Sequence, residues 1–131
     1  MTARDLKLAI HTLLKAKHSR VYYQTAPSKA KFPYIIHDLP NAIDSGEPPE
    51  VWVLDVDGWD QGGESGGLDE SGDSGALDAL MELVDAELHR KTLFVSGARV
   101  QIYRDMRLAP VTEENDRLKR RRYTYQVRVY Q

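Results

Sequence analysis

Apolar residues recur at helical spacing in two segments of the chain. Residues 4–17 and residues 76–90 each place their apolar side chains on one side of a helix, with polar side chains elsewhere. The first stripe consists of Leu6, Ala9, Ile10, Leu13 and Leu14, and the second of Leu77, Leu80, Met81, Val84 and Leu88. Thr2 is a suitable N-cap for the first helix, with Asp5 close to its positive end, and Asp73 or Ser74 is a suitable cap for the second. The spacing predicts two amphipathic helices.

Five other segments are rich in β-branched and aromatic residues, which is typical of strands. The predicted strands are Val21–Thr25, Pro33–Leu39, Val51–Trp59, Ala98–Arg107 and Lys119–Tyr130, and a turn is predicted at Ser96-Gly97. The third of them is apolar on both faces, as expected of a central strand. The resulting order, α-β-β-β-α-β-β, predicts an α+β fold in which a mostly antiparallel sheet of about five strands packs against two helices.

The length of 131 residues is suited to one domain, residues 1–131, with its own core. Seven of the nine glycines lie between Gly58 and Gly75, among Ser, Asp and Glu, so a mobile Gly/Ser/Asp-rich loop is expected at about residues 61–75. Residues 41–50 and 108–118 are expected to be polar loops. No signal peptide or membrane span is evident, which indicates a soluble protein made in a reducing cytoplasm.

Charge is divided into blocks along the chain. Residues 1–40 have a balance of +5, residues 41–87 of −14 and residues 88–131 of +7, which together give the net charge of −2. A dedicated nucleic-acid-binding domain is usually basic overall. Blocks of opposite sign are better suited to a protein whose basic surface meets an acidic one, either its own or that of a neighbour.

The last strand, residues 119–130, divides by parity into a tyrosine- and valine-rich side and an arginine-rich side. The polar side carries Arg120, Arg122 and Arg128. Because Tyr123 and Tyr125 fall on the opposite, core-facing side, they are not a platform for stacking bases, as an RNA-binding sheet would need. For the arginine-rich side, contact with the carboxylates of a protein is favoured over nucleic-acid binding and over simple exposure to solvent.

Few residue patterns indicate chemistry. Asp55 and Asp57 share a strand face and Asp60 follows, so a divalent-metal site is one interpretation. The alternatives are exposed polar positions or partners for the arginines. The four histidines, His11, His18, His37 and His89, have no metal-ligand spacing and are expected at the surface. Without cysteine a thiol nucleophile is impossible. We expect no cofactor, no metal and no enzymatic activity.

The chain resembles the tail-completion proteins of long-tailed bacteriophages, also called tail terminator or tail-to-head joining proteins. The resemblance covers nearly the whole chain and keeps the order of its elements, although residues 61–75 make a longer insertion than is usual before the second helix. It is carried by Arg20-Val21-Tyr22-Tyr23, Lys31-Phe32-Pro33-Tyr34-Ile35-Ile36, Leu54-Asp55-Val56-Asp57-Gly58-Trp59-Asp60, Gln101-Ile102-Tyr103-Arg104 and Lys119-Arg120-Arg121-Arg122-Tyr123.

The resemblance implies a structural virion protein. Such proteins form a ring, typically of six subunits, at the head-proximal end of the tail tube, where the ring stops tube polymerisation and joins the tail to the head. The implied partners are further copies of the chain, the major tail tube protein and the head connector or head-completion protein. DNA passes through the lumen without specific binding. The implied location is the virion tail, assembled in the cytoplasm of the bacterial host. The first alternative is a head-completion protein of the same phage neck. A nucleic-acid-binding accessory protein and a metal-dependent hydrolase are less favoured alternatives.

A closed ring requires two different patches that fit each other on adjacent subunits. We therefore expect the face with Arg120, Arg122 and Arg128, together with Arg104 and Arg107, to meet carboxylates of a neighbouring subunit or of the tube. The carboxylates of Asp55, Asp57 and Asp60 are candidates for the acidic patch. Opposite charges on distinct patches favour this geometry and disfavour pairing of like surfaces.

Overall fold

The first helix of the fold, α1, is Ala3–Lys15 in a computed structural model that describes residues 1–43, 49–61, 75–111 and 118–131. It begins with a capping box, in which the Asp5 amide donates to the Thr2 hydroxyl and the Thr2 amide donates to the Asp5 carboxylate. Leu6, Ile10 and Leu14 of the predicted stripe are fully buried. The N-cap and the apolar stripe of the first helix are thus confirmed.

The second helix, α2, is Gly75–Leu88, and all five residues of its predicted stripe are buried. It lies close to the sheet at Gly58, where an added Cβ would stand 2.6 Å from Met81 Sδ and 2.8 Å from Leu77 Cδ1. A glycine is needed at this strand position because the helix occupies the space of a side chain. Asp73 and Ser74, the caps expected for α2, lie outside the described residues.

Within the described residues, six strands form one sheet, where about five were predicted. They are β1 (Val21–Tyr23), β2 (Tyr34–Ile43), β3 (Glu50–Gln61), β4 (Lys91–Val95), β5 (Ala98–Val111) and β6 (Leu118–Tyr130). Their order in the sheet is β1-β2-β3-β6-β5-β4, so β3 is central as predicted. All neighbours are antiparallel except β1 and β2, which are parallel, so the α+β class is confirmed and the sheet is mixed.

Strand β4 was absent from the prediction. Its buried and exposed residues alternate over only five positions directly after α2, with Thr92 and Phe94 exposed, which makes a weak apolar signal. The predicted turn at Ser96-Gly97 is confirmed and joins β4 to β5 as a two-residue hairpin. Both turn residues have positive φ, 48° and 83°, as the primed hairpin turns require.

Three predicted loops are shorter than expected because strands extend into them. Residues 41–43 belong to β2, Gln61 to β3 and residues 108–111 to β5. Each extension continues the pairing with the neighbouring strand, which polar sequence alone does not preclude. The remainder of the predicted loops, residues 44–48, 62–74 and 112–117, lies outside the described residues.

One apolar core lies between the sheet and the helices. Both helices pack on the same side of the sheet, which we call the inner face. The core includes Leu54 and Val56 of β3, Val100 and Ile102 of β5, and Tyr125 of β6. The opposite side, the outer face, is not covered by any element in the described parts of the chain. In the same parts, no helix is long and apolar enough to cross a membrane.

Candidate interaction surface

The outer face carries side chains from all six strands. Strand alternation and the register place there Tyr22, Tyr34, Ile36, Asp38, Val53, Asp55, Asp57, Trp59, Thr92, Phe94, Arg99, Gln101, Tyr103, Met106, Arg120, Arg122, Thr124, Gln126, Arg128 and Tyr130. This set contains the predicted residues Arg120, Arg122 and Arg128, together with Asp55 and Asp57. The parity derived from the sequence is therefore correct for β6 and for the first two aspartates.

An ion pair between neighbouring strands lies at the centre of the outer face. Arg122 Nε and Nη2 donate to the two carboxylate oxygens of Asp57 at 2.8 and 2.9 Å, and Thr124 Oγ1 donates to Asp55 at 3.0 Å. The hydrogen bonds to Asp57 raise the pKa of Arg122 above its ordinary value. The paired fork geometry accounts for the low exposure of Asp57, 8%. Arg122 is thus satisfied within its own chain and holds β3 and β6 in register.

A groove of about 240 Å³ opens beside this ion pair. Its lining comes from the β1–β2 connection and from β2, β3 and β6: Gln24, Ile36, Asp38, Asp55, Asp57, Trp59, Arg120 and Arg122. Asp38 and Asp55 are cross-strand neighbours, and Asp38 accepts a hydrogen bond from Gln24 Nε2 at 3.2 Å. Within the described ranges, no group of three or more histidine or carboxylate side chains is arranged to hold a metal ion.

Three arginines of the outer face lie over aromatic rings of adjacent strands. The distances from the guanidinium carbon to the ring centroid are 5.0 Å for Arg120 over Trp59, 5.0 Å for Arg128 over Tyr103 and 4.5 Å for Arg99 over Tyr130. Such stacking fixes the planar guanidinium without using its edge N–H donors. The rings of Trp59, Tyr103 and Tyr130 were not predicted, because only Tyr123 and Tyr125 of the last strand were weighed as aromatic residues.

Arg104 and Arg107 do not belong to the outer face, contrary to the prediction. Arg104 continues the inner-face alternation of Val100 and Ile102, and a bulge after it brings Arg107 to the same side; both side chains bind Asp85 of α2. The same carboxylate accepts a hydrogen bond from the buried Tyr125 hydroxyl at 2.8 Å. Burial acts to raise the pKa of Asp85, but the hydrogen bonds from Tyr125 and the arginines outweigh it and lower the pKa. This network fastens α2 to β5 and β6.

Asp60 is likewise separated from Asp55 and Asp57. It lies on the inner side of β3, is 3% exposed, and accepts a hydrogen bond from the Gln61 amide at 2.8 Å. Near it, the buried Arg121 donates to Asp78 of α2 at 3.0 Å. The metal-site interpretation of the three aspartates is therefore not supported by their placement, because one points away from the other two.

A histidine pair joins α1 to the sheet. His11 Nδ1 and His37 Nε2 are 2.9 Å apart, and His37 is fully buried, which corrects its expected surface position. Burial, followed by the charges of His11 and Lys7, lowers the pKa of His37 from 6.5 to about 4. The signal in the sequence was present: in Tyr34-Ile35-Ile36-His37, position 37 has the same parity as the buried Ile35.

The fold of this chain is similar to that of chains in solved structures. No known family and no curated protein matches the sequence. Among solved structures, a chain from the "Virion of native gene transfer agent (GTA) particle" is 15% identical, with a TM-score of 0.61 over 98% of this chain and 90% of that chain. A second, whose name describes no function, is 17% identical, with a TM-score of 0.62 over 100% of this chain and 99% of that chain. The chain therefore shares a complete fold with a protein found in a virion.

Proposed function

We propose that this protein is a structural subunit of a phage-like particle that forms a ring at the head-proximal end of the tail tube. The ring would stop tube polymerisation and provide the surface that joins the tail to the head, without catalysing a reaction. The observation that carries the proposal is the end-to-end likeness in fold to a chain of a gene transfer agent virion. The resemblance of the sequence to tail-completion proteins selects this role among virion components.

The distribution of charge supports the proposal. The outer face holds arginines that stack on rings, and helix α2, on the other side of the sheet, contains four acidic residues and no basic one. Two dissimilar patches on opposite sides of a domain are what a head-to-tail contact between identical subunits needs. Exposed charge pairs are screened over about 8–10 Å at physiological ionic strength, so ring formation should weaken as salt rises.

Electron microscopy of the purified protein mixed with tail tubes tests the proposal. The tubes are assembled from the major tail tube protein of the same particle, with and without this chain. We expect added density at one end and tubes of limited length. Bare tube ends and continued growth would refute the terminator role. Density on isolated head connectors instead would indicate the head-completion alternative.

A further inference from the structure

We infer that the β5–β6 half of the outer face binds the exposed side of helix α2 of a second copy of the chain. The inference rests on the proposed ring and names its subunit contact. On one side the contact uses Arg99, Arg128 and Met106, and on the other Glu82 and Leu83. The sheet side of one subunit would meet the helix side of the next.

The sheet side presents cations that no carboxylate of the described residues neutralises. Arg128 is held by the ring of Tyr103 and by a hydrogen bond of 3.3 Å to Gln126 Oε1, and Arg99 by the ring of Tyr130. Met106, on the same face, is 52% exposed. Met106 lies four residues along β6 from Arg128, and Phe94, opposite Arg99 on the same face, is 77% exposed. Exposed apolar side chains on the same face as undercompensated guanidinium groups are suited to a partner that offers an apolar side chain and a carboxylate.

Helix α2 offers that combination. Three of its four carboxylates are paired inside the chain: Asp78 with Arg121, Asp85 with Arg104 and Arg107, and Glu87 with Lys17 and Lys91. Glu82 is exposed and has no ion-pair partner in the described part of the chain, and the adjacent Leu83 is 43% exposed. The negative charge of Glu82 on α2 is thus opposite in sign to the positive charges of Arg99 and Arg128 on the sheet side.

The arrangement favours a protein partner over nucleic acid. The rings of Trp59, Tyr103 and Tyr130 are covered by guanidinium groups, so bases cannot stack on these three rings in this conformation. Asp38 and Asp55 on the same face would repel phosphates. Because α2 packs on the inner face, its exposed side and the outer face are different surfaces, so their contact is heterologous and repeats from subunit to subunit, forming a ring when the rotation between subunits closes.

Cysteine cross-linking tests the contact, since the natural chain has no cysteine. The double variant Leu83→Cys/Met106→Cys is treated with a short bis-maleimide, alone and on tail tubes. The sheet separates the two positions within a subunit, so efficient linkage must join two copies. We expect products that extend beyond dimers and end in a closed species on tubes. Each single variant should give only slow dimer formation.

Charge reversal provides the second measurement. Arg128→Glu and Glu82→Arg should each weaken assembly by about tenfold, and the two changes together should recover most of that loss. Lys29→Glu, an exposed site in the β1–β2 connection, makes the same change in net charge as Arg128→Glu and should have no effect.

The outcomes separate the inference from the proposed function. Rings on tubes without the cross-link between positions 83 and 106 would overturn the inference and leave the ring standing. Cross-linked chains that neither close nor bind tubes would support the contact and refute the terminator role. Rapid dimers from Met106→Cys alone would show that outer faces pair with each other, which would overturn the inference. Nucleic-acid binding that is lost in Arg128→Glu, with no cross-link, would do the same.

Discussion

Protonation of His37 is the step at which we expect acid to destabilise the fold. His37 Nδ1 has no hydrogen-bond partner in the described residues. The arrangement that costs least therefore has His37 Nε2–H donating to His11 Nδ1, with His37 Nδ1 as a bare acceptor. A second proton on His37 would create a buried charge and a buried N–H donor without an acceptor, on a ring that is fully enclosed.

The pKa of His37 sets both the direction and the size of the effect. The unfolded chain takes up the proton near pH 6.5, whereas the folded protein takes it up only near pH 4. Between these values the unfolded state binds more protons, so the free energy of unfolding falls as the pH falls through this window. The separation corresponds to about 3 kcal/mol, since a tenfold change in proton affinity is worth about 1.4 kcal/mol.

Urea unfolding at a series of pH values between 7.5 and 4, each of them about half a unit apart, measures this loss. In His37→Gln the amide can still donate to His11 but does not titrate, so the wild type should lose about 3 kcal/mol more than this variant across the window. His18→Gln is the matched control, because His18 donates to the Pro33 carbonyl from a partly exposed site. Equal losses in the wild type and His37→Gln would refute the reasoning.

Two further substitutions test how α2 is held on the sheet. Gly58→Ala should lower the free energy of unfolding by about 1–3 kcal/mol, since its Cβ would overlap Met81, whereas Gly75→Ala, with nothing within 4 Å of the added Cβ, should change it little. Asp85→Asn should cost about 3 kcal/mol, because two arginines and a buried tyrosine lose their acceptor charge; Asp105→Asn, at an exposed site, is the control. Urea denaturation measures both, and variants as stable as their controls would contradict these roles.

Strong local patterns made the helices and the long strands predictable. The stripes of α1 and α2 and the alternation in β6 contain enough apolar positions to specify type and buried face together. The short edge strands behaved differently. Strand β1 has only three residues, and its parallel direction depends on the course of residues 24–33, where Gln24 adopts a positive φ of 64°. A periodicity over three residues carries no information about strand direction.

The residues of the outer face were predictable only where alternation along a single strand decides which side each residue faces. Parity placed Arg120, Arg122 and Arg128 correctly on one face of β6. Arg104 was misplaced although it has the same parity as Val100 and Ile102 of the inner face. Arg107 was misplaced because the bulge after Arg104 shifts the alternation, and no residue type in that segment indicates a bulge. The partners across strands, such as Asp57 for Arg122, depend on the register between distant segments, which a single sequence does not specify.

The acidic and basic blocks of the sequence pair with each other at several places within the fold. Acidic residues of the middle block bind basic residues of the last block at Asp57–Arg122, at Asp78–Arg121 and in the network around Asp85. Arginines held in this way fix the strand register and the position of α2. Reversing their charge would therefore lower the stability of the fold before it affected assembly. The cations held by aromatic rings differ, because a ring orients a guanidinium without neutralising it. Assembly should therefore depend on the ring-stacked Arg99 and Arg128, and stability on the carboxylate-bound arginines.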